Sequence, residues 1–147
     1  MTGLHYHADD YDDAGNLKAP WWFWLILLYL LQGWWLIALG MAMQSYDIPD
    51  VLQSRGWLIL FPGFCAFQAL FIYPLRGRWY RVSAASRLIL LAGVVLMTGH
   101  DVYHGIMAFR EQEDVWTSFW LSLVCFDVVC LAGVAGRRIR HVFCEMD

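Results

Sequence analysis

Charge is what this sequence has least of. Only 16% of its 147 residues are Asp, Glu, Lys or Arg, against 60% apolar and 17% aromatic. A soluble domain of this size carries roughly a quarter charged residues and less than half apolar ones. Chemistry-bearing patterns are also missing. The four cysteines, Cys65, Cys125, Cys130 and Cys144, form no CxxC pair and no zinc-module spacing, so they read as free thiols acting as small hydrophobes. No HExxH pattern, no Walker-type or dinucleotide glycine motif and no Ser-His-Asp set occurs, which removes the usual footing of metalloprotease, nucleotide-driven and triad-hydrolase chemistry. There is no internal repeat and no low-complexity segment. Residues 1–19 lack the basic flank of a secretory leader and hold His5, His7, Asp9, Asp10, Asp12 and Asp13 instead.

What remains is long and apolar, with a mean hydropathy of +0.47. Charges are segregated into short clusters between uncharged runs, the pattern of a polytopic membrane protein. Four runs of about 20 residues fit, at roughly 21–43, 57–75, 88–109 and 115–136. The first opens on Trp21, Trp22, Phe23 and Trp24, an interfacial aromatic belt, and Trp57, Trp116 and Trp120 mark other interfaces. Pro20 suits a first turn. Pro62-Gly63 predicts a kink in the second run, and residues 44–56 read as a short loop. The expected fold is therefore an all-α membrane protein, a four-transmembrane antiparallel helix bundle. Residues 1–19 form a polar acidic N-terminal segment, residues 20–136 the membrane domain, and residues 137–147 a basic tail.

Arginine sets the threading. Short loops rich in Arg and Lys stay in the cytoplasm. Arg76, Arg78, Arg81 and Arg87 lie in 76–87 and Arg137, Arg138 and Arg140 in the tail, with Lys18 ahead of the first run. Arg55 and Arg110 stand alone in the other two connections. With four crossings, the basic clusters share a face only if both termini are cytoplasmic. That arrangement brings the N-terminal aspartates beside the arginines, where they either dock or remain solvated.

Each expected crossing holds something polar: Gln32, Gln68, His100 with Asp101, and Asp127. Ionisable groups in hydrocarbon usually face a bundle interior, a partner or a cavity. Either these residues converge on one site, or they make separate interhelical hydrogen bonds worth on the order of 1 kcal/mol or less. His100 and His104, at i and i+4, share a helix face, and Asp101 can reach His104. Three readings stay open for this trio: packing or interface histidines, a proton or ion pathway, or part of a site for zinc or copper. Asp127 needs a donor or a cation, and His100 is the expected partner.

The termini resemble a known family. Tyr11-Asp12-x-x-Gly15-x-Leu17-Lys18-x-Pro20 before a Trp-rich run is similar to the N-terminal signature of the YfeZ-like bacterial inner-membrane proteins, an uncharacterised family. Phe61-Pro62-Gly63, Asp127-Val128-Val129 and Arg137-Arg138-Ile139-Arg140 resemble it too. The resemblance implies a multi-pass protein of the bacterial inner membrane, without an activity to carry over, and the histidine pair lies outside its pattern. The function expected is a non-enzymatic accessory subunit or interaction partner in a membrane complex. The alternative is a small oligomeric transporter or proton-coupled carrier using His100, Asp101, His104 and Asp127. A third reading is an enzyme or redox module with a cofactor among the tryptophans, although i,i+4 histidines do not suit bis-histidine haem. The lipid bilayer, and a membrane-protein partner or a second copy, are the expected partners. No cofactor and no nucleic acid are expected.

Overall fold

An uncharged apolar run has to satisfy its own backbone groups, and the helix is the local way to do so. The computed structural model describes residues 7–13, 15–43, 60–111 and 114–144, and it is all helical there apart from short turns and one isolated bridge. The helices are α1 (Trp21–Leu30), α2 (Gln32–Met43), α3 (Leu60–Ile72), α4 (Tyr80–Arg110), α5 (Asp114–Ala135) and α6 (Arg137–Cys144). Single 3-10 turns occupy Ala8–Asp10 and Tyr73–Leu75. The 44–56 connection and Trp57 lie outside the described residues.

Among the described residues, α4 and α5 are each long and apolar enough to cross a membrane. The pair α1 and α2 makes a third candidate, bent by 57°, and Leu60–Leu75 is a shorter apolar helix. That bend falls at Leu31. Leu31 has φ −79° and ψ 1°, and Gly33, the weakest helix former nearby, follows two residues later. Pro62 and Gly63 are both helical and buried within α3. Helix α4 begins at Tyr80, so Arg81 and Arg87 are helical and the turn before it is short. At about 1.5 Å per residue its 31 residues reach roughly 46 Å, more than a hydrocarbon core needs.

Neighbouring helices run antiparallel. Arg87 meets the carbonyl of Ala135 while His104 stacks on Trp120, which fixes the register of α4 on α5. Gln68 donates to Ser86 and Gly93 lies against Cys65, which fixes α3 on α4. Tyr29 reaches Asp127, and Gly133 lies under Ile26 and Trp22, which fixes α1 on α5.

The inward face of α4 is Ser83, Ser86, Leu90, Gly93, Val94, Met97, Asp101 and Ala108. These steps of three and four make one stripe, marked by small and polar residues rather than by hydrophobicity. That is the expected signature where the outer face is as apolar as the inner one. The core joins this stripe to Phe23, Ile26, Leu27 and Leu30 of α1, Cys65, Ala66 and Ala69 of α3, and Cys130 and Val134 of α5. Helix α6 folds back at one end and adds Ile139, Val142 and Phe143. Only 33% and 22% of the apolar windows of α4 and α5 are buried. Their other faces, with Leu88, Leu96, Ile106, Leu121 and Val129, stand exposed.

Candidate functional site

Two polar clusters stand out, one inside the apolar helices and one at the end where α1 begins. The inner cluster is built on the antiparallel pair α4 and α5. Asp127 is 0% exposed and Asp101 1%. Tyr29, in the last turn of α1 before the bend, donates its hydroxyl to Asp127 Oδ1 at 2.8 Å. His100 Nδ1 lies 3.0 Å from Asp101 Oδ1. The His100 ring is 4.4 Å from that of His104, which stacks on Trp120 at 5.0 Å and 20°. From the α4–α5 register, Asp127 is level with Met97 and therefore about one turn from Asp101. Each carboxylate thus has a protein partner, Asp127 tying α5 to α1 and Asp101 pairing with its neighbour within α4.

The expected residues divide by depth. Gln68 pairs with Ser86, about three turns from Asp127 toward the end where α4 begins. Its Oε1, the hydroxyl of buried Ser83 and Nε2 of Gln32 find no partner among the described residues. Among the described residues, Gln68 with Ser86 therefore lies at a different depth from Asp127 with Tyr29. Tyr29 is a hydrogen-bond partner of Asp127, and the expected partner His100 lies against Asp101. Among the described residues, no three or more His, Cys, Asp and Glu side chains are grouped to hold a metal ion, so His100, Asp101 and His104 are not assembled as one.

The second cluster is a clasp. The chain from Asp10 to Ala19 turns back on itself. Asp12 N–H donates to the Asn16 carbonyl, Gly15 N–H to the Asp12 carbonyl, and Asn16 N–H to Asp12 Oδ1 at 2.8 Å. Gly15 has φ 79°, a left-handed conformation that a side chain would strain. Tyr11 and Leu17 close the turn as an isolated bridge. Leu17 then plugs into the core.

One arginine organises the far side of the clasp. Arg76, whose side chain is 5% exposed, donates to Asp12 Oδ2 at 2.8 Å, to the Tyr73 carbonyl at 2.8 Å and to the Leu17 carbonyl at 3.4 Å. Its guanidinium sits 3.9 Å over the Tyr73 ring. The Tyr73 hydroxyl in turn accepts the Ala19 N–H at 2.9 Å. Asn16 lies directly on Gly77, leaving no room there for a side chain. A second ion pair, Asp10 to Arg138 at 2.7 Å, ties the clasp to α6. The His7 backbone N–H holds the Asp10 carboxyl below its usual range; its partial desolvation opposes this and Arg138 reinforces it. The expected docking of the N-terminal aspartates on the arginines is thus present for Asp10 and Asp12.

Comparison with known proteins gives a family without an assigned role. A family model described as "Protein of unknown function (DUF2919)" matches residues 6–144. The chain belongs to this family. It is 30% identical, over 99% of both chains, to a protein named "Inner membrane protein YfeZ" from Escherichia coli (strain K12). No solved structure matches.

The resemblance first noticed at the N-terminus acquires a physical meaning here. Asp12, Gly15, Leu17 and Pro20 of the family-like stretch are the acid, the left-handed turn, the core plug and the helix entry of the clasp. Tyr11 supplies the bridge, and Lys18 donates its backbone N–H to Asp10 and its ammonium to the Asp9 carbonyl at 3.2 Å. Sequence reasoning missed Tyr29 and Tyr73. Tyr29 offered a signal, a hydroxyl three residues before Gln32 in an otherwise apolar helix. Tyr73, beside Pro74 at a helix end, offered none.

Proposed function

We propose that this chain is a four-span protein of the bacterial inner membrane, with both termini in the cytoplasm, acting as a non-enzymatic accessory subunit or interaction partner in a membrane complex. The observation that carries the reading is the engagement of buried Asp127 with Tyr29 of another helix, while Asp101 lies against His100 of its own helix. A carboxylate bonded across helices, as Asp127 is, acts as an interhelical tie. Lipid as the solvent is supported by the exposed apolar faces of α4 and α5, far larger than a soluble monomer tolerates. The name of the Escherichia coli relative supports the inner membrane. The arginines of 76–87 and of α6 support the cytoplasmic side for the clasped end. That end then presents a preformed polar surface on an otherwise lipid-facing body, which is where a partner would bind.

The test has two arms. Reporter fusions after Arg78 and after Arg110 should report cytoplasm and periplasm respectively; the reverse pattern overturns the threading. Affinity capture of the tagged full chain from native membranes should retain the same partner across repeats and lose it when Asp12 and Arg76 are both changed to Ala. Capture of no partner by the intact protein overturns the accessory role. A second reading, a small proton-coupled carrier, is favoured by the complete burial of Asp101 and Asp127 beside half-buried His104. Proton flux into proteoliposomes that disappears in Asp127→Asn would replace the first reading with this one.

A further inference from the structure

We propose that Arg87, Arg137 and Arg140 form a site for the phosphate of an anionic phospholipid headgroup at the bend between α5 and α6. The inference rests on the membrane reading above. Five of the seven arginines of the clasped end fall into two groups. Arg76 and Arg138 are neutralised by Asp12 and Asp10. Three others lie around Gly136 with no ion pair among the described residues. Arg87 donates to the Ala135 carbonyl at 3.3 Å, Arg137 follows Gly136 directly, and the Arg140 backbone N–H bonds the Gly136 carbonyl at 3.1 Å. Arg137 and Arg140 are exposed and Arg87 is half-buried. No acid occurs from Arg76 to His100 or from Val128 to Cys144, so this positive field has no local counter-ion within either segment.

The packing of α6 decides which way the charges face. Its apolar residues Ile139, Val142 and Phe143 are all buried in the protein core. At 100° per residue, Arg138 lies on one flank, toward the clasp, Arg140 on the opposite flank and Arg137 on the outer side. The depth decides the ligand. Val128 and Val129 of α5 stand 51% and 66% exposed, and Ala132 and Ala135 are exposed too, so the lipid-facing run ends where these guanidinium groups begin. Trp79 and Tyr80, exposed at the start of α4, mark the same interface. A headgroup phosphate lies in that layer, and guanidinium is the side chain suited to bind it through paired N–H donors. Each basic residue near an anionic surface contributes roughly a five-fold gain in binding, equivalent to about 1 kcal/mol.

The experiment uses the full chain in nanodiscs of phosphatidylcholine with and without phosphatidylglycerol. Native mass spectrometry then reads which lipids survive delipidation. The intact protein should retain phosphatidylglycerol over phosphatidylcholine, and the preference should weaken with salt. Arg137→Gln with Arg140→Gln, which leaves Arg87 on the Ala135 carbonyl, should reduce the preference by about 25-fold on the same arithmetic. Arg110→Gln, at the other end of α4, should leave it unchanged. An intact protein without preference, or an equal preference in the double variant, overturns the site. Displacement of the lipid by millimolar inorganic phosphate overturns the headgroup as its occupant in favour of free phosphate. A protein that stays soluble without detergent overturns the membrane reading itself, a result distinguishable from insertion without lipid preference.

Discussion

Removal of the Asp12 carboxylate tests the clasp most directly. In Asp12→Ala, Arg76 keeps the Tyr73 and Leu17 carbonyls and the Tyr73 ring but loses its only anionic partner among the described residues. A guanidinium that is 5% exposed would then hold an uncompensated charge. Stripping one partner from a fully buried pair costs about 3–5 kcal/mol, whereas exposed pairs are worth ~1 kcal/mol or less. Asp12 is itself 30% exposed, so water screens part of the interaction. The same substitution removes the acceptor for the Asn16 N–H, a local bond worth about 1 kcal/mol. Together these place the loss at about 2 kcal/mol.

The energy should appear in one region first. The clasp is the low-stability edge of the molecule, held by a handful of polar contacts and by Leu17, whereas the helices are held by their whole inward faces. Hydrogen exchange in detergent or nanodiscs should therefore show residues 11–19 and the turn at 76–79 losing protection, while α4 and α5 remain as slow as in the parent. Thermal unfolding should shift down by several degrees. Asp13→Ala is the internal control, because Asp13 is an exposed neighbour in the same turn. If the two variants exchange alike, the Asp12–Arg76 contact does not hold the end closed and the reasoning fails. Arg76→Lys refines the test. A lysine keeps the charge but loses the planar stack on Tyr73 and the forked donors, so it should fall between parent and Asp12→Ala.

Other expectations follow from single contacts. Tyr29→Phe should destabilise by about 1 kcal/mol and Asp127→Leu by about 2 kcal/mol, the latter because it strands the Tyr29 hydroxyl in an apolar setting; Asp127→Asn, which keeps an acceptor, should be milder than Leu in denaturant titration. Gly15→Ala should cost about 1 kcal/mol in clasp opening by hydrogen exchange, since φ 79° is left-handed. Gly93→Val should cost about 2 kcal/mol or abolish assembly, because a Cβ there would sit 2.9 Å from Cys65 Sγ; normal melting would mean that α3 and α4 do not approach so closely. The Asp10 carboxyl is held below its ordinary value of 3.8, so its contribution is present above that value and lost as pH falls through the folded one. The difference in protection of residues 8–19 between the parent and Asp10→Asn should thus shrink as pH falls below that ordinary value.

The helical character of this chain was legible because hydrophobicity alone demands it, but the lines of contact were not. In α4, Leu88, Ile89 and Val95 are as apolar as Leu90 and Val94, yet the first three face out and the last two face in. What separates them is the company of Ser83, Ser86, Gly93 and Asp101 on one face, a pattern of small and polar residues at steps of three and four. That pattern was present in the sequence, and reading it asks for a different rule than the one used for water-soluble helices. The bend at Leu31 is a separate case. Proline drew attention to residue 62, while the bend at Leu31 occupies a stretch with no proline and only Gly33 to weaken it. Its consequence reaches the polar interior, because it ends α1 at the level where Tyr29 meets Asp127.

The clasp shows how far charge counting can go. Seven arginines and the N-terminal aspartates were visible as opposite signs on one face, and so was the prospect that they meet. Charge could not say that Arg76 and Arg138 would be taken while Arg87, Arg137 and Arg140 would not. That partition follows from apolar residues. Leu17 enters the core beside Phe23 and Phe143, which brings Asp12 to Arg76 and Asp10 to Arg138, and the burial of Ile139, Val142 and Phe143 turns Arg137 and Arg140 away. The electrostatic layout of this end is therefore a consequence of where four hydrophobic side chains pack, and a substitution such as Leu17→Ser should redistribute the ion pairs without touching a charge.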